Sequence, residues 1–168
     1  MLRLRERLLR FRVMEWYVRA FLKASLAWLS LGVTLGIAMA VHPAWGIYRT
    51  AHMHMNLLGF VTMMIFGVAY HVLPRFTGHA LWSPQLPGWH WWGSNVGLTL
   101  MVIGFVCRVS NGTAGQVGAA LLSTGGTLAA LGAYAFAYNM WRTIDGPAAQ
   151  RAVTSSPVVR ATLPLHGR

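Results

Sequence analysis

The chain has 168 residues, of which 55% are hydrophobic and only 10% are charged. A soluble domain carries about 25% charged residues, so this composition excludes an ordinary soluble domain and indicates a membrane protein. The net charge of +11 does not indicate nucleic-acid binding, because most basic residues lie before the first long apolar run or after the last. The single cysteine, Cys107, excludes an intrachain disulfide and a thiolate-based zinc site.

The first 23 residues form a basic segment ahead of the first apolar run. Its apolar residues recur near helical spacing, and its cations suit anionic lipid headgroups. We therefore predict that residues 1–23 form an interfacial amphipathic helix. Its basic residues are Arg3, Arg5, Arg7, Arg10, Arg12, Arg19 and Lys23. No small-residue cleavage site follows a short apolar core, so a signal peptide is not predicted.

Four long apolar runs follow the basic segment. Each can supply the roughly 20 residues that a membrane-spanning helix needs, and backbone groups in lipid must be bonded within their own segment. The runs are Ala24–Val41, Thr50–Leu73, a window near Trp91–Cys107, and Ala114–Trp141. We therefore predict an all-α membrane protein with one domain of four transmembrane helices, over residues 24–145.

The positions of the arginines predict how these helices are oriented. Arginines are concentrated at both ends of the chain, and Arg75 lies between the second and third runs. Because cationic connections stay on the cytoplasmic side, both termini are predicted to be cytoplasmic. Residues 146–168 carry Ser, Thr, Pro and Arg without periodicity, which predicts a disordered tail. Asn111 and Gly112 predict a turn between the third and fourth helices.

Small residues recur at four-residue spacing in three of the predicted helices. This spacing lets helices approach closely in lipid and indicates packing rather than chemistry. The residues are Gly32, Gly36 and Ala40 in the first helix, Gly93 and Gly97 in the third, and Gly125 and Ala129 in the fourth.

Two histidines, His52 and His54, lie near the start of the second apolar run. Successive helical residues turn by about 100°, so these side chains leave the helix on roughly opposite sides and are not expected to chelate one metal ion. Each could instead hydrogen-bond to a neighbouring helix or lie among the outer headgroups. Ionisable residues inside an apolar span nevertheless indicate a functional site, and imidazole is a common axial ligand of haem iron.

The residues around this pair form a longer pattern. His52-Met53-His54 is followed by Gly59, Gly67, Tyr70-His71, Pro74 and Arg75, and the last helix ends in the stretch 137–143, AYNMWRT. From Thr50 to about Arg142 the chain resembles the last four helices of the catalytic subunit of C-family (cbb-type) haem–copper oxidases. The resemblance implies that His52 corresponds to the proximal ligand of a high-spin haem and His54 to a ligand of a low-spin haem. It also implies a bacterial-type inner membrane.

The cofactor expectation follows from these residues and this resemblance. The chain has no C-x-x-C-H motif, so we predict non-covalent haem b, with two haem environments beside the second helix. Nothing corresponds to the family's copper-binding histidines or its cross-linked tyrosine. The chain is therefore oxidoreductase-like, and a single copy is not expected to reduce oxygen. The presence of copper and of turnover stays open.

Several other residues are weaker candidates. Arg49 lies one turn before His52 and is placed to meet haem propionates, although an arginine at the outer interface needs no ligand to explain it. His42 is a candidate ligand, gate or loop residue. A metal site formed by His71, His79 and His90 is an alternative to their being ordinary interfacial residues.

The predicted function is that of a haem b membrane cytochrome, for electron transfer or for binding a small gas such as O₂ or NO. One alternative is a haem-free accessory or assembly subunit of an oxidase-like complex, and another is haem or copper sensing or transport. The expected partners are membrane lipid, a redox protein or quinol, and further copies of the chain. Three copies would rebuild the family's twelve-helix ring, so a trimer is preferred over a dimer.

Overall fold

The computed structural model describes residues 14–110 and 112–154, with side chains described as far as Gly146. Within these residues the fold is all-helical and contains no strand. Helix α1 is Trp16–Val41 and is followed by the short 3₁₀ helix Pro43–Tyr48. Helix α2 is a continuous rod made of the α-helical Arg49–His54, the π-helical Met55–Thr62 and the α-helical Met63–Thr77. Helix α3 is Leu86–Arg108 and helix α4 is Thr113–Thr154. The predicted all-α class is confirmed.

The outer helices extend beyond the predicted apolar runs. Helix α1 begins at Trp16, so residues 16–23 are its first two turns, and Val18 and Phe21 are buried in the core. The rest of the predicted interfacial segment, up to residue 13, lies outside the described residues. Helix α4 continues to Thr154, beyond the predicted start of the tail. Residues 155–168 lie outside the described part of the chain.

The connections have simple local causes. Pro43 lacks a backbone N–H and disfavours a helical conformation at His42, so α1 ends there. Gly78 and Gly112 both have positive φ, of 70° and 73°, a conformation that favours glycine. Gly78 ends α2, and Gly112 lies in the predicted turn before α4.

Among the described residues, three segments are long and apolar enough to cross a membrane: Trp16–Val41, Pro43–Thr77 and Thr113–Gly146. Helix α3 has 23 residues, which is sufficient length, but it carries polar side chains that include His90, Ser94 and Asn95. The chain is therefore that of an all-α membrane protein. The fourth span and the orientation stay predictions.

The core lies where the first half of α1 meets the second half of α2. Phe21, Met63, Tyr70 and Leu98 are almost completely buried there, and Met140 of α4 joins them. Many large apolar side chains elsewhere are exposed, including Leu31, Ile37, Leu57, Ile65 and Leu131. Apolar surface on this scale requires lipid or protein to cover it.

Helices α3 and α4 approach each other through their glycines. A Cβ placed on Gly97 would lie 2.7 Å from the Gly125 carbonyl oxygen, and one on Gly118 would lie 2.7 Å from the Arg108 nitrogen. Any side chain at these positions would force the backbones apart. The predicted small-residue packing of these two helices is confirmed.

Candidate functional site

His52 and His54 lie on different sides of α2. The His52 ring faces α1, where its Nδ1 is 2.8 Å from the Gly32 carbonyl oxygen. The His54 ring faces α3, where its centroid is 4.7 Å from that of Phe105. The two imidazoles therefore diverge, as the rotation of an α-helix predicts.

Both imidazoles are held through Nδ1. His54 Nδ1 is 2.9 Å from the carbonyl oxygen of Thr50, one turn earlier. A carbonyl oxygen can only accept a hydrogen bond, so in each ring Nδ1–H donates and Nε2 keeps its lone pair. The nearby Asn56 amide does not alter this assignment for His52, because Asn56 Nδ2 donates to the His52 carbonyl oxygen at 2.9 Å and is 3.4 Å from Nδ1.

Glycines of α1 make room for the polar side chains of α2. A Cβ placed on Gly36 would lie 2.8 Å from His52 Cε1, and one on Gly32 would lie 2.6 Å from Asn56 Nδ2. These two glycines therefore accommodate an imidazole and an amide rather than a second helix backbone. Sequence reasoning missed Asn56, although its position four residues after His52, in an otherwise apolar run, was a usable signal.

A π-helical segment, Met55–Thr62, begins immediately after His54. Within it Thr62 Oγ1 donates to the Leu57 carbonyl oxygen, five residues earlier, at 2.8 Å. Segments of this kind are rare and occur frequently at functional sites. Gly59 lies in this segment, and a Cβ there would be 2.6 Å from Trp28 Cβ. The π-helical turns that follow the two histidines therefore pack against α1.

A cavity of about 300 Å³ is lined by two residues that contact His54, and the His54 ring itself does not line it. It borders both Thr50, which accepts the His54 hydrogen bond, and Phe105, which contacts the His54 ring. Its remaining lining residues are Ile47, Arg108, Val109 and Leu122. Arg108 is the cation of this cavity, and sequence reasoning missed it because it lies at the end of the third apolar run, far from His54 in sequence.

The weaker candidates lie at the surface. Arg49 and His42 are both exposed, and neither lines the cavity beside His54. The His42 ring lies 5.8 Å from the Trp45 ring in the connection between α1 and α2. Their predicted roles stay predictions.

The three other candidate histidines do not form a metal site. Within the described residues, no group of three or more His, Cys, Asp or Glu side chains could hold a metal ion. The predicted alternative of a site built from His71, His79 and His90 is therefore wrong. His90 is instead fully buried, with Nδ1 at 3.1 Å from the Tyr70 hydroxyl.

Comparisons with known proteins agree with the predicted resemblance at a coarse level. No family model matches the chain. The chain is 30% identical to cytochrome c oxidase subunit 1 of Rhodobacter capsulatus, in an alignment of 119 residues covering 58% of this chain and 22% of that protein. It is 27% identical to the Cbb3-type cytochrome c oxidase subunit CcoN1 of Stutzerimonas stutzeri, over 152 residues, 74% of this chain and 32% of that protein.

The chain is distantly similar to haem–copper oxidase subunit I. It spans about a fifth to a third of the length of these relatives. The relationship supports a membrane protein similar to an oxidase subunit.

Proposed function

We propose that the chain is a haem b-binding membrane cytochrome that carries electrons or binds a small gas such as O₂ or NO. The observation that carries this proposal is that His52 and His54 each donate Nδ1–H to a backbone carbonyl oxygen. In each ring Nε2 is then unprotonated and has a lone pair that can bind a metal. Histidines that ligate metals almost always donate their other ring N–H in this way, which orients the ring and raises its basicity. The donor set therefore fits haem iron.

The divergence of the two rings supports two haem environments rather than one. His52 and His54 leave the same helix toward different neighbours, so each imidazole would hold a haem of its own. In this proposal each ring serves a separate haem, with His54 on the α3 side and His52 on the α1 side. Haem supplies the redox-active, gas-binding iron, and the chain's residues fix which imidazole nitrogen faces it.

The cavity beside His54 supports a site for the edge of a haem. Arg108 can pair with a propionate carboxylate there, because a guanidinium forms strong charge-assisted hydrogen bonds with carboxylates. Arg49 is proposed to act in the same way from the outer surface, and His42 stays a further candidate ligand.

A haem is larger than this cavity, so further protein surface is needed to enclose it. We propose that another copy of the chain supplies it, in a trimer by preference and otherwise in a dimer. Exposed apolar side chains on α1, α2 and α4 provide surface for such contacts. Closed cyclic symmetry is the usual arrangement of identical chains. A side chain of the neighbouring copy would then complete the ligation of the His54 haem, while His52 would serve its own haem.

The absorption spectrum of the purified protein tests this function directly. The chain is expressed with an adequate haem supply, and haem is quantified after purification in mild detergent. We expect a Soret band and at least one haem per chain. A haem content near zero would overturn the proposal and favour a haem-free accessory or assembly subunit. Loosely held, exchangeable haem would instead favour transport or sensing.

A further inference from the structure

A second cavity, of about 360 Å³, lies between α3 and α4 at the opposite end of the fold from His52. Two indoles, Trp89 and Trp92, stand at its sides with 75% and 59% of their surface exposed. Leu128 and Leu131 form much of the α4 wall, and His90 is the one ionisable residue among the lining side chains. The cavity is thus mostly apolar and open at the protein surface, with a single imidazole in its lining.

His90 is held rigidly. Its side chain is 0% exposed, and its ring lies 4.4 Å from the Phe66 ring and 4.8 Å from the Phe21 ring. A Cβ placed on Gly132, which lines the cavity, would lie 3.1 Å from His90 Cδ2. The Cδ2 atom of the ring therefore faces this glycine. Nε2 itself is buried and has no hydrogen-bond partner.

The Tyr70 hydroxyl is the one side-chain hydrogen-bond partner of the His90 ring among the described residues, with its oxygen 3.1 Å from Nδ1. Either the Tyr70 hydroxyl donates to Nδ1 or Nδ1–H donates to the hydroxyl oxygen.

When the Tyr70 hydroxyl donates, Nδ1 accepts and the proton of the neutral imidazole lies on Nε2. In either case Nε2 is a buried polar atom without a hydrogen-bond partner. Buried polar atoms of this kind are almost always paired in proteins.

We propose that this cavity binds a lipid-soluble ring compound of the quinone class, with a ring carbonyl oxygen accepting the His90 Nε2–H. A flat ring suits the two indoles, which favour stacked or edge contacts with aromatic systems. A carboxylate ligand is disfavoured because the lining carries no cation. A mostly apolar pocket of this size with one placed polar group is typical of small-molecule sites. The inference does not depend on haem binding.

Titration calorimetry tests this site, using the protein in lipid nanodiscs and a short-chain 1,4-benzoquinone as the probe. We expect saturable binding of one probe per chain. A second probe is the 1,4-dimethylbenzene with the same tail, a flat ring with methyl groups at the positions of the carbonyl oxygens, and we expect it to bind at least about 5-fold more weakly because it cannot accept the hydrogen bond. Equal affinity for both probes, or no binding of the quinone, would overturn the proposal.

Two variants locate the site. His90→Phe removes the donor and should weaken quinone binding to the level of the methyl-substituted probe. Leu131→Trp adds bulk to the α4 wall at a residue that is 59% exposed, so it should block binding without disturbing the buried aromatic rings. Leu57→Trp, at an equally exposed leucine of α2, is the matched control and should bind normally. Loss of binding in Leu131→Trp with unchanged affinity in a folded His90→Phe variant would show a purely apolar lipid site and reject the quinone assignment.

Discussion

The imidazoles near the two ends of α2, His52 and His54 at one end and His90 of α3 at the other, have different partners at Nδ1. At the N-terminal end of α2, His52 and His54 donate Nδ1–H to the carbonyl oxygens of Gly32 and Thr50, so Nε2 is a base that can bind a metal. At the C-terminal end, in the quinone site proposed above, the Tyr70 hydroxyl donates to His90 Nδ1, which makes Nε2 an N–H donor that cannot bind a metal. The comparison teaches that the group bonded to Nδ1 determines what a buried imidazole can bind.

The largest expected effect is that of His54→Ala on the haem spectrum. This substitution removes the free Nε2 on the α3 side, and we expect the low-spin haem signal to disappear. Optical and electron paramagnetic resonance spectra of the purified variant measure the effect. His79→Ala, at a half-buried histidine outside the helices, is the control and should keep the wild-type spectrum. An unchanged spectrum in His54→Ala would remove His54 as a ligand.

His52 should behave differently from His54. If its haem is five-coordinate, carbon monoxide should bind the reduced protein and shift part of the absorption spectrum, and His52→Ala should abolish that shift while the low-spin signal stays. The measurement is a carbon monoxide difference spectrum of each variant. A wild-type protein in which every haem is inert to carbon monoxide would rule out gas binding and leave electron transfer.

Gly36→Ala tests whether the glycines of α1 position His52. The new methyl group would lie 2.8 Å from His52 Cε1, so the ring must move, and such overpacking is expected to cost about 1–3 kcal/mol of stability. Thermal unfolding in detergent and the carbon monoxide difference spectrum report the two consequences. Gly126→Ala is the matched control, since a Cβ there meets nothing within 4 Å. Equal behaviour of the two variants would contradict the positioning role.

Tyr70→Phe tests the other side of the comparison. The change leaves His90 Nδ1 without its donor and removes the reason for the Nε2–H form, so quinone affinity should fall and stability should decrease by about 1–3 kcal/mol. The haem spectrum should not change, because Tyr70 lies at the other end of α2. Tyr138→Phe, at a tyrosine that is 53% exposed, is the control and should be nearly neutral.

The smallest expected effect separates the two candidate propionate partners. Arg108 lines the cavity beside His54 whereas Arg49 does not, so Arg108→Gln should lower haem retention a few-fold more than Arg49→Gln. Haem loss to an excess of apomyoglobin measures the difference. A greater loss from the Arg49 variant would reverse this assignment and restore the expectation drawn from sequence.

Much of the fold could be predicted because it follows from periodicity and length. The apolar runs predicted the helices, the glycine spacing predicted the contact between α3 and α4, and the rotation between residues two apart predicted that His52 and His54 diverge. Each of these depends on local geometry alone. The start of α1 was missed because Arg19 and Lys23 interrupt the apolar pattern, whereas the buried Val18 and Phe21 depend on contacts with α2 and α3.

The features that could not be predicted depend on contacts between distant segments. The burial of His90 requires Phe21 of α1, Phe66 of α2 and Phe136 of α4 to surround one position of α3. The role of Arg108 requires the end of α3 to lie beside Thr50. The sequence MNLLGFVT does not distinguish a π-helix from an α-helix, because the two differ in which backbone carbonyl oxygen accepts the hydrogen bond of each N–H.

The π-helical segment Met55–Thr62 fixes an angle along α2. It separates the turn that carries His52 and His54 from the turns that carry Tyr70. Because one residue corresponds to about 100° of helical rotation, returning a single turn of this segment to α geometry would swing Tyr70 by roughly that angle about the axis, away from His90. The π-helical segment therefore sets the rotation of the Tyr70 side chain about the α2 axis relative to those of His52 and His54.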